Sequence, residues 1–158
     1  AAVLLPWPRR PDGPTAGVKA TSTAATLVGQ RYARERDAAT GIWLTPEGNV
    51  SEALTANVFA IDRDGALVCP PLADGALAGV TRGELLAWAA ADGVPVVERS
   101  LPAGELAAAP EAFLSATSEP VVPLVRLDGA PIADGAAGPV TRRLQELFER
   151  RARESVRA

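Results

Sequence analysis

Two residues in the first third of the chain could carry chemistry, one a nucleophilic amine and the other a carboxylic acid. Lys19 follows a Gly-Val step and is the only lysine among 16 lysines and arginines. Arginine cannot replace lysine where an amine must lose a proton and form a Schiff base. Glu52 lies between two apolar segments in the stretch from Gly48 to Phe59, where a carboxylate could keep a pyridinium nitrogen protonated. The alternative is a solvated surface lysine and an acid in a surface loop.

Two threonines lie where the chain could bind a phosphate. Thr81 and Glu84 have the spacing of a capping box before an apolar run, which predicts that Thr81 caps a helix. The amides of Val80 and Thr81 at such a helix start would bind a phosphate. Thr117 lies in a polar turn after a strand, where it is either an ordinary turn hydroxyl or a second phosphate contact.

The elements that must position these residues mix helix and strand patterns. Apolar spacing predicts helices over about 23–36, from the Thr81 cap to about 93, over 105–109 and from 139 onward. Short apolar runs predict strands at 42–44, 58–61, 66–68, 94–97, 112–114 and 121–127, and the run at 94–97 is rich in β-branched residues. Hairpins and helical connections both occur, so we expect a mixed α/β or α+β domain.

Composition excludes several classes of function. The chain of 158 residues can bury the core of one domain, and its net charge of −3 gives no basic field for nucleic acid. Its longest apolar runs are too short to span a bilayer, so no membrane partner is expected. The absence of histidine removes histidine-based triads and most zinc sites, and no metal is expected.

The single cysteine, Cys69, suits a reducing compartment and predicts a cytoplasmic protein. The absence of methionine predicts that the chain is a piece of a longer or processed polypeptide.

Five motifs, taken in order, resemble one family. They are Val18-Lys19, Gly48–Glu52 with Asn57–Phe59, Leu77–Arg82, Glu111–Ser115 and Gly138–Thr141. This series resembles the class IV, fold type IV aminotransferases that use pyridoxal phosphate, a family that includes branched-chain aminotransferases, D-amino acid aminotransferases and aminodeoxychorismate lyase. The resemblance runs from about Val3 to Arg150.

The resemblance implies a role for each candidate residue. Lys19 would be the Schiff-base lysine and the general acid/base, and Glu52 would pair with the pyridine nitrogen. The backbone of Val80 and Thr81, with the Thr81 hydroxyl, would hold the phosphate.

The resemblance also implies roles for the turn at 116–118. Thr117 would be the other phosphate ligand. Ala116 and Ser118 would lie near the substrate carboxylate.

The resemblance further implies a domain organisation and an assembly. Residues 1–17 would be a strand and a proline-rich interdomain segment. Residues 18–158 would be the large cofactor-binding domain, a mixed-sheet pseudo-barrel with flanking helices. The family's smaller N-terminal domain would be absent from this chain. A homodimer acting on amino acids and keto acids would be expected.

Three functions follow as hypotheses. The first is a transaminase that transfers an amino group between an amino acid and a 2-keto acid. The second uses the same site for β-elimination, as in aminodeoxychorismate lyase. The third is a non-catalytic domain of the same fold, suggested by departures from the family pattern at 20–23, Ala53, Ala78 and Pro110 and by the expected absence of the smaller N-terminal domain.

Overall fold

The computed structural model describes residues 1–14 and 16–155, which form helices and short strands, with runs of consecutive strands between the helices. The α-helices of this part of the chain are α1 (Ala24–Arg34), α2 (Val80–Ala91), α3 (Ala103–Ala107) and α4 (Pro139–Ser155). The strands are β1 (Ala2–Leu4), β2 (Thr40–Leu44), β3 (Val50–Ala53), β4 (Asn57–Ile61), β5 (Leu67–Cys69), β6 (Val96–Glu98), β7 (Glu111–Ser115), β8 (Val122–Pro123), β9 (Arg126–Leu127) and β10 (Ala130–Pro131).

The strands form two mixed sheets of five. The first sheet has the order β10-β9-β1-β2-β3, with β1 parallel to β2 and β9, and β3 antiparallel to β2. The second has the order β6-β5-β4-β7-β8, with β4 antiparallel to both neighbours and β6 parallel to β5. Residues 54–56 link β3 of the first sheet to β4 of the second. The site described below lies around this link.

Strand β4 is buried on both faces, which explains its continuous apolar character. Successive side chains of a strand point to opposite faces. Val58 and Ala60 join a core between the two sheets. Phe59 and Ile61 join a second core that α2 and α4 cover. Phe59 also stacks on its register partner Phe113, with ring centroids 4.8 Å apart.

The helices therefore form outer layers around two sheets. Leu85 of α2 and Leu144 of α4 are fully buried against the second sheet. On the other side, Ala33 of α1 packs against Val3 of β1. The prediction of a mixed α/β domain with flanking helices is confirmed. No helix in the described residues is both long enough and apolar enough to cross a membrane.

One predicted strand is wrong. Residues 121–127 form two short strands in different sheets, because β8 pairs with β7 while β9 pairs with β1. Pro123 has no N–H to donate to a ladder. The amide of Leu124 instead donates to the carbonyl of Ala112, 2.8 Å away, and the chain then crosses to the first sheet.

Candidate active site

The carboxylate of Glu52 lies on β3 and is 8% exposed. Its Oε1 accepts a hydrogen bond from the guanidinium Nη1 of Arg9. Its Oε2 accepts the backbone N–H of Leu77 at 2.8 Å. Glu52 is therefore a buried strand residue, and the alternative of an acid in a surface loop is wrong. Each carboxylate oxygen keeps a further lone pair that can accept another donor.

Arg9 is a site residue that sequence reasoning missed. It belongs to a proline-rich stretch that reads as a loop, and nothing local separates it from Arg10. The backbone N–H of Arg9 donates to the carbonyl of Leu44 at 2.7 Å, which holds the segment beside the first sheet. Arg10 instead pairs with Asp12 in solvent. Only the tertiary fold distinguishes the two arginines.

Helix α2 begins at Val80, with Gly79 as its N-cap and no side-chain capping bond. The predicted capping box is therefore wrong: Thr81 is the second residue of the helix and cannot cap it. Val80 is 79% exposed, whereas Thr81 is 8% exposed. The first amides of an α-helix have no acceptor within the helix, and its N-terminus carries partial positive charge. The start of α2 thus offers unpaired amides to an anion.

Residues 76–79, just before α2, are contacted by β3, β4 and the loop before Lys19. The N–H of Leu77 bonds to Glu52, and the carbonyl of Leu77 accepts the side-chain amide of Asn57 at 2.9 Å. A Cβ added to Gly17 would lie 3.8 Å from the carbonyl oxygen of Ala76. The structure therefore brings β3, β4, the start of α2 and the loop before Lys19 to one region.

Lys19 lies in an exposed irregular segment two residues beyond this contact. Gly17 reaches it through a left-handed backbone with φ of +68°, which favours glycine. The amine of Lys19 makes no hydrogen bond or ion pair with any residue that the structure describes, Glu52 included.

The turn at 116–118 follows β7 at the same end of the second sheet as Asn57. Ser115 is the register partner of Asn57, and the N–H of Ala116 donates to the carbonyl of Glu119 at 3.0 Å. Ala116 is half-buried, whereas Thr117 and Ser118 are exposed. The two hydroxyls are thus exposed, just beyond the end of β7 where Ser115 pairs with Asn57.

These groups fit an aromatic cofactor that carries a phosphate. The helix start could supply amides and a hydroxyl for the anion, the buried carboxylate a partner for a ring nitrogen, and the lysine amine a nucleophile. Buried polar atoms support a polar site, because the hydroxyl oxygens of Ser51 and Ser115 have no hydrogen-bond partner among the described residues.

Comparison with known proteins then decides the family. Residues 1–127 match the family model described as amino-transferase class IV. The chain belongs to the class IV aminotransferase family.

Two relatives show how much of a class IV aminotransferase this chain spans. It is 33% identical over 149 residues to the branched-chain-amino-acid aminotransferase of Escherichia coli (strain K12), covering 93% of this chain and 48% of the relative. It is 34% identical over 134 residues to the D-alanine aminotransferase of Staphylococcus haemolyticus, covering 84% of this chain and 46% of the relative. The chain thus spans about half the length of these relatives.

Solved structures agree with the family. The crystal structure of the Escherichia coli branched-chain amino acid aminotransferase matches with a TM-score of 0.87 and 34% identity, over 93% of this chain and 50% of that one. The enzyme of Thermobaculum terrenum, solved in its PLP-form, matches with a TM-score of 0.87 and 28% identity, over 94% and 49%. The predicted family and fold are confirmed.

Proposed function

We propose that this chain is the cofactor-binding part of a pyridoxal-phosphate transaminase that moves an amino group between an amino acid and a 2-keto acid. One observation carries the proposal. The buried carboxylate of Glu52 bonds to Leu77, α2 begins at Val80, and Gly17, two residues before Lys19, approaches Ala76, all in a chain of the class IV aminotransferase family. The relatives named above are aminotransferases, and one was solved in its PLP-form.

Lys19 would bind the cofactor covalently and move the proton. When bound, pyridoxal phosphate supplies an electron-withdrawing ring that makes the α-proton of an attached amino acid acidic. The Lys19 amine would accept that proton from the α-carbon and deliver it back to the cofactor carbon that receives the amino group. No described ion pair has to break before the amine of Lys19 acts.

Glu52 would hold a proton on the pyridine nitrogen. A carboxylate in a largely buried site favours the protonated ring through its charge and a charge-assisted hydrogen bond. Arg9 and the Leu77 amide hold the two oxygens of Glu52, so the carboxylate is oriented before the ring arrives.

The phosphate would lie at the start of α2. The amides of Val80 and Thr81 and the Thr81 hydroxyl would donate to it, and Thr117 would supply a second hydroxyl from the neighbouring turn. Ala116 and Ser118 would lie beside the carboxylate of the substrate.

An assay of the full-length protein tests the reaction. We expect amino-group transfer to 2-oxoglutarate from a branched-chain amino acid or from D-alanine, and its loss in Lys19→Arg, which keeps the charge but cannot supply a neutral amine. Release of pyruvate from aminodeoxychorismate without an acceptor would identify a lyase instead. Failure to bind pyridoxal phosphate at all would identify a non-catalytic domain.

The working protein is proposed to be a cytoplasmic homodimer. The first turns of α1 expose apolar side chains, with Leu27 66% and Val28 55% exposed, and a second copy would cover them. Light scattering of the full-length protein should give twice the monomer mass. A monomer mass at micromolar concentration would refute the dimer.

A further inference from the structure

We propose that Asn57 is a positioning residue that fixes the phosphate-binding start of α2 relative to Glu52. The inference rests on the proposed function, since it assigns the phosphate to α2 and the ring nitrogen to Glu52. Asn57 itself would touch neither group.

The first observation is the hydrogen bond that Asn57 makes. Its side chain is buried at 6% exposure, and its Nδ2 donates to the carbonyl of Leu77 at 2.9 Å. The same carbonyl accepts the N–H of Gly79 at 2.8 Å, which closes a tight turn immediately before the helix. Asn57 therefore holds the turn from which α2 starts.

The second observation is that Glu52 holds the other side of the same residue. The N–H of Leu77 donates to Oε2 of Glu52, while the Leu77 carbonyl accepts from Asn57. The amide and the carbonyl flank a single Cα. Leu77 is thus fixed between a side chain of β3 and a side chain of β4, which belong to different sheets.

The third observation is the close approach of Asn57 to the N-cap. A Cβ added to Gly79 would collide with Oδ1 of Asn57. The backbone of Gly79, with φ of −65° and ψ of 135°, is one that any L-residue can adopt. Contact with Asn57, and not backbone conformation, is therefore what disfavours a side chain at the helix start.

These contacts predict that loss of Asn57 weakens the binding of a ligand that carries a phosphate more than the binding of one that lacks it. Without the Asn57 donor, the Leu77–Gly79 turn loses one anchor and the amides of α2 move relative to Glu52. A ligand that bridges both points loses affinity, whereas a ligand that lacks the phosphate does not. Pyridoxal phosphate and phosphate-free pyridoxal are such a pair.

The experiment measures dissociation constants of both ligands for the full-length protein, by absorbance, in wild type, Asn57→Ala and Asn57→Asp. We expect the constant for pyridoxal phosphate to rise about tenfold or more, as for loss of a buried hydrogen bond. The constant for pyridoxal should change less than about threefold. Asn49, the other asparagine of the chain, lies in the turn before β3, and Asn49→Ala and Asn49→Asp should leave both constants unchanged.

A second variant, Gly79→Ala, probes the same contact from the helix side with Asn57 in place, and so tests the positioning role without needing Asn57→Ala to fold. Gly79→Ala should weaken pyridoxal phosphate binding in the wild-type background, because the new methyl group meets the Asn57 amide. It should have little further effect in Asn57→Ala, where that amide is gone.

The outcomes separate this inference from the proposed function. A wild-type protein that binds no pyridoxal phosphate overturns the proposed function and this inference with it. If the wild type binds pyridoxal phosphate, two results would overturn the positioning role alone. One is that Asn57→Ala and Gly79→Ala have additive effects on pyridoxal phosphate binding. The other is that the ratio of the dissociation constants for pyridoxal phosphate and pyridoxal is unchanged in the Asn57 variants.

Discussion

At the scale of single residues, Glu52 is the acid on which the proposed chemistry depends most. Replacement by glutamine keeps its shape and removes its charge. We expect the full-length Glu52→Gln protein to bind pyridoxal phosphate still, but to remove the α-proton about a hundredfold more slowly, on the order of 3 kcal/mol of barrier. Single-turnover absorbance kinetics with an amino donor measure this step. Near-normal rates would show that Glu52 has only a structural role.

Arg9 and Arg10 give a matched pair of substitutions that separates a buried ion pair from a solvated one. Arg9→Gln leaves the largely buried Glu52 carboxylate without its cation, and we expect the free energy of unfolding to fall by roughly 1–3 kcal/mol. Arg10→Gln removes a pair that lies in solvent and should leave stability unchanged within error. Urea denaturation of the cofactor-free protein compares them. Equal effects of the two substitutions would contradict the assignment.

Cys69 predicts a pH dependence of stability. Burial raises the pKa of its thiol to about 11, although the nearby guanidinium of Arg82 opposes the shift. Because the folded pKa lies above the unfolded value, the contribution is complete below pH 9 and is lost as pH rises toward 11, by roughly 2 kcal/mol. Chemical denaturation of wild type and Cys69→Ala over this range should show a smaller alkaline loss in the variant. Parallel curves would contradict the prediction.

At the scale of secondary structure elements, α4 is capped by an acid from another element. Glu111 of β7 accepts the N–H groups of Val140 at 3.0 Å and Thr141 at 2.7 Å, and the Thr141 hydroxyl at 2.8 Å. Any Cβ at Gly138 would collide with this carboxylate, so glycine is required there. A buried anion at a helix N-terminus satisfies the first amides and the helix dipole together.

Glu111→Gln replaces one accepting oxygen by an amide donor that faces other donors. We expect a loss of about 2–4 kcal/mol in the free energy of unfolding, since buried donors are left without an acceptor. The exposed Glu119→Gln is the control and should have little effect. Thermal and urea unfolding measure both. If the two glutamine variants are equally stable, Glu111 does not cap α4.

Elements with strong local patterns were predictable from the sequence. Apolar spacing around Leu144 predicted α4, and the β-branched and aromatic residues of 58–61 predicted β4, because these patterns are local. Helix α2 starts earlier than predicted, because its N-cap is Gly79, whereas the capping-box spacing predicted Thr81 as the N-cap. The predicted strand at 121–127 failed because a crossing between sheets depends on partners that local sequence does not specify.

The contacts that build the candidate site were less predictable than its residue types. The motifs that include Lys19 and Glu52 assigned the chain to the right family. The partners of Glu52, namely Arg9 and Leu77, are far away in sequence and come together only in the folded chain.

At the scale of the whole molecule, the candidate site lies where the two sheets are joined. Glu52 belongs to the first sheet, Asn57 belongs to the second, and both hold the turn that begins α2. The sheets are themselves packed against each other through a continuous core. Glu52 and the start of α2, which we propose bind opposite ends of one cofactor, are thus fixed by the packing of the molecule.

The most direct test of the central claim is to locate the cofactor on the chain. Sodium borohydride makes the bond between a lysine amine and a carbonyl cofactor permanent, so peptide mass spectrometry can identify the lysine. After incubation of the full-length protein with pyridoxal phosphate, we expect the reduced cofactor on Lys19, no tryptic cleavage after that residue, and no labelling of this peptide in Lys19→Arg. Stable binding of pyridoxal phosphate with Lys19 unmodified, or with another lysine modified instead, would contradict the account.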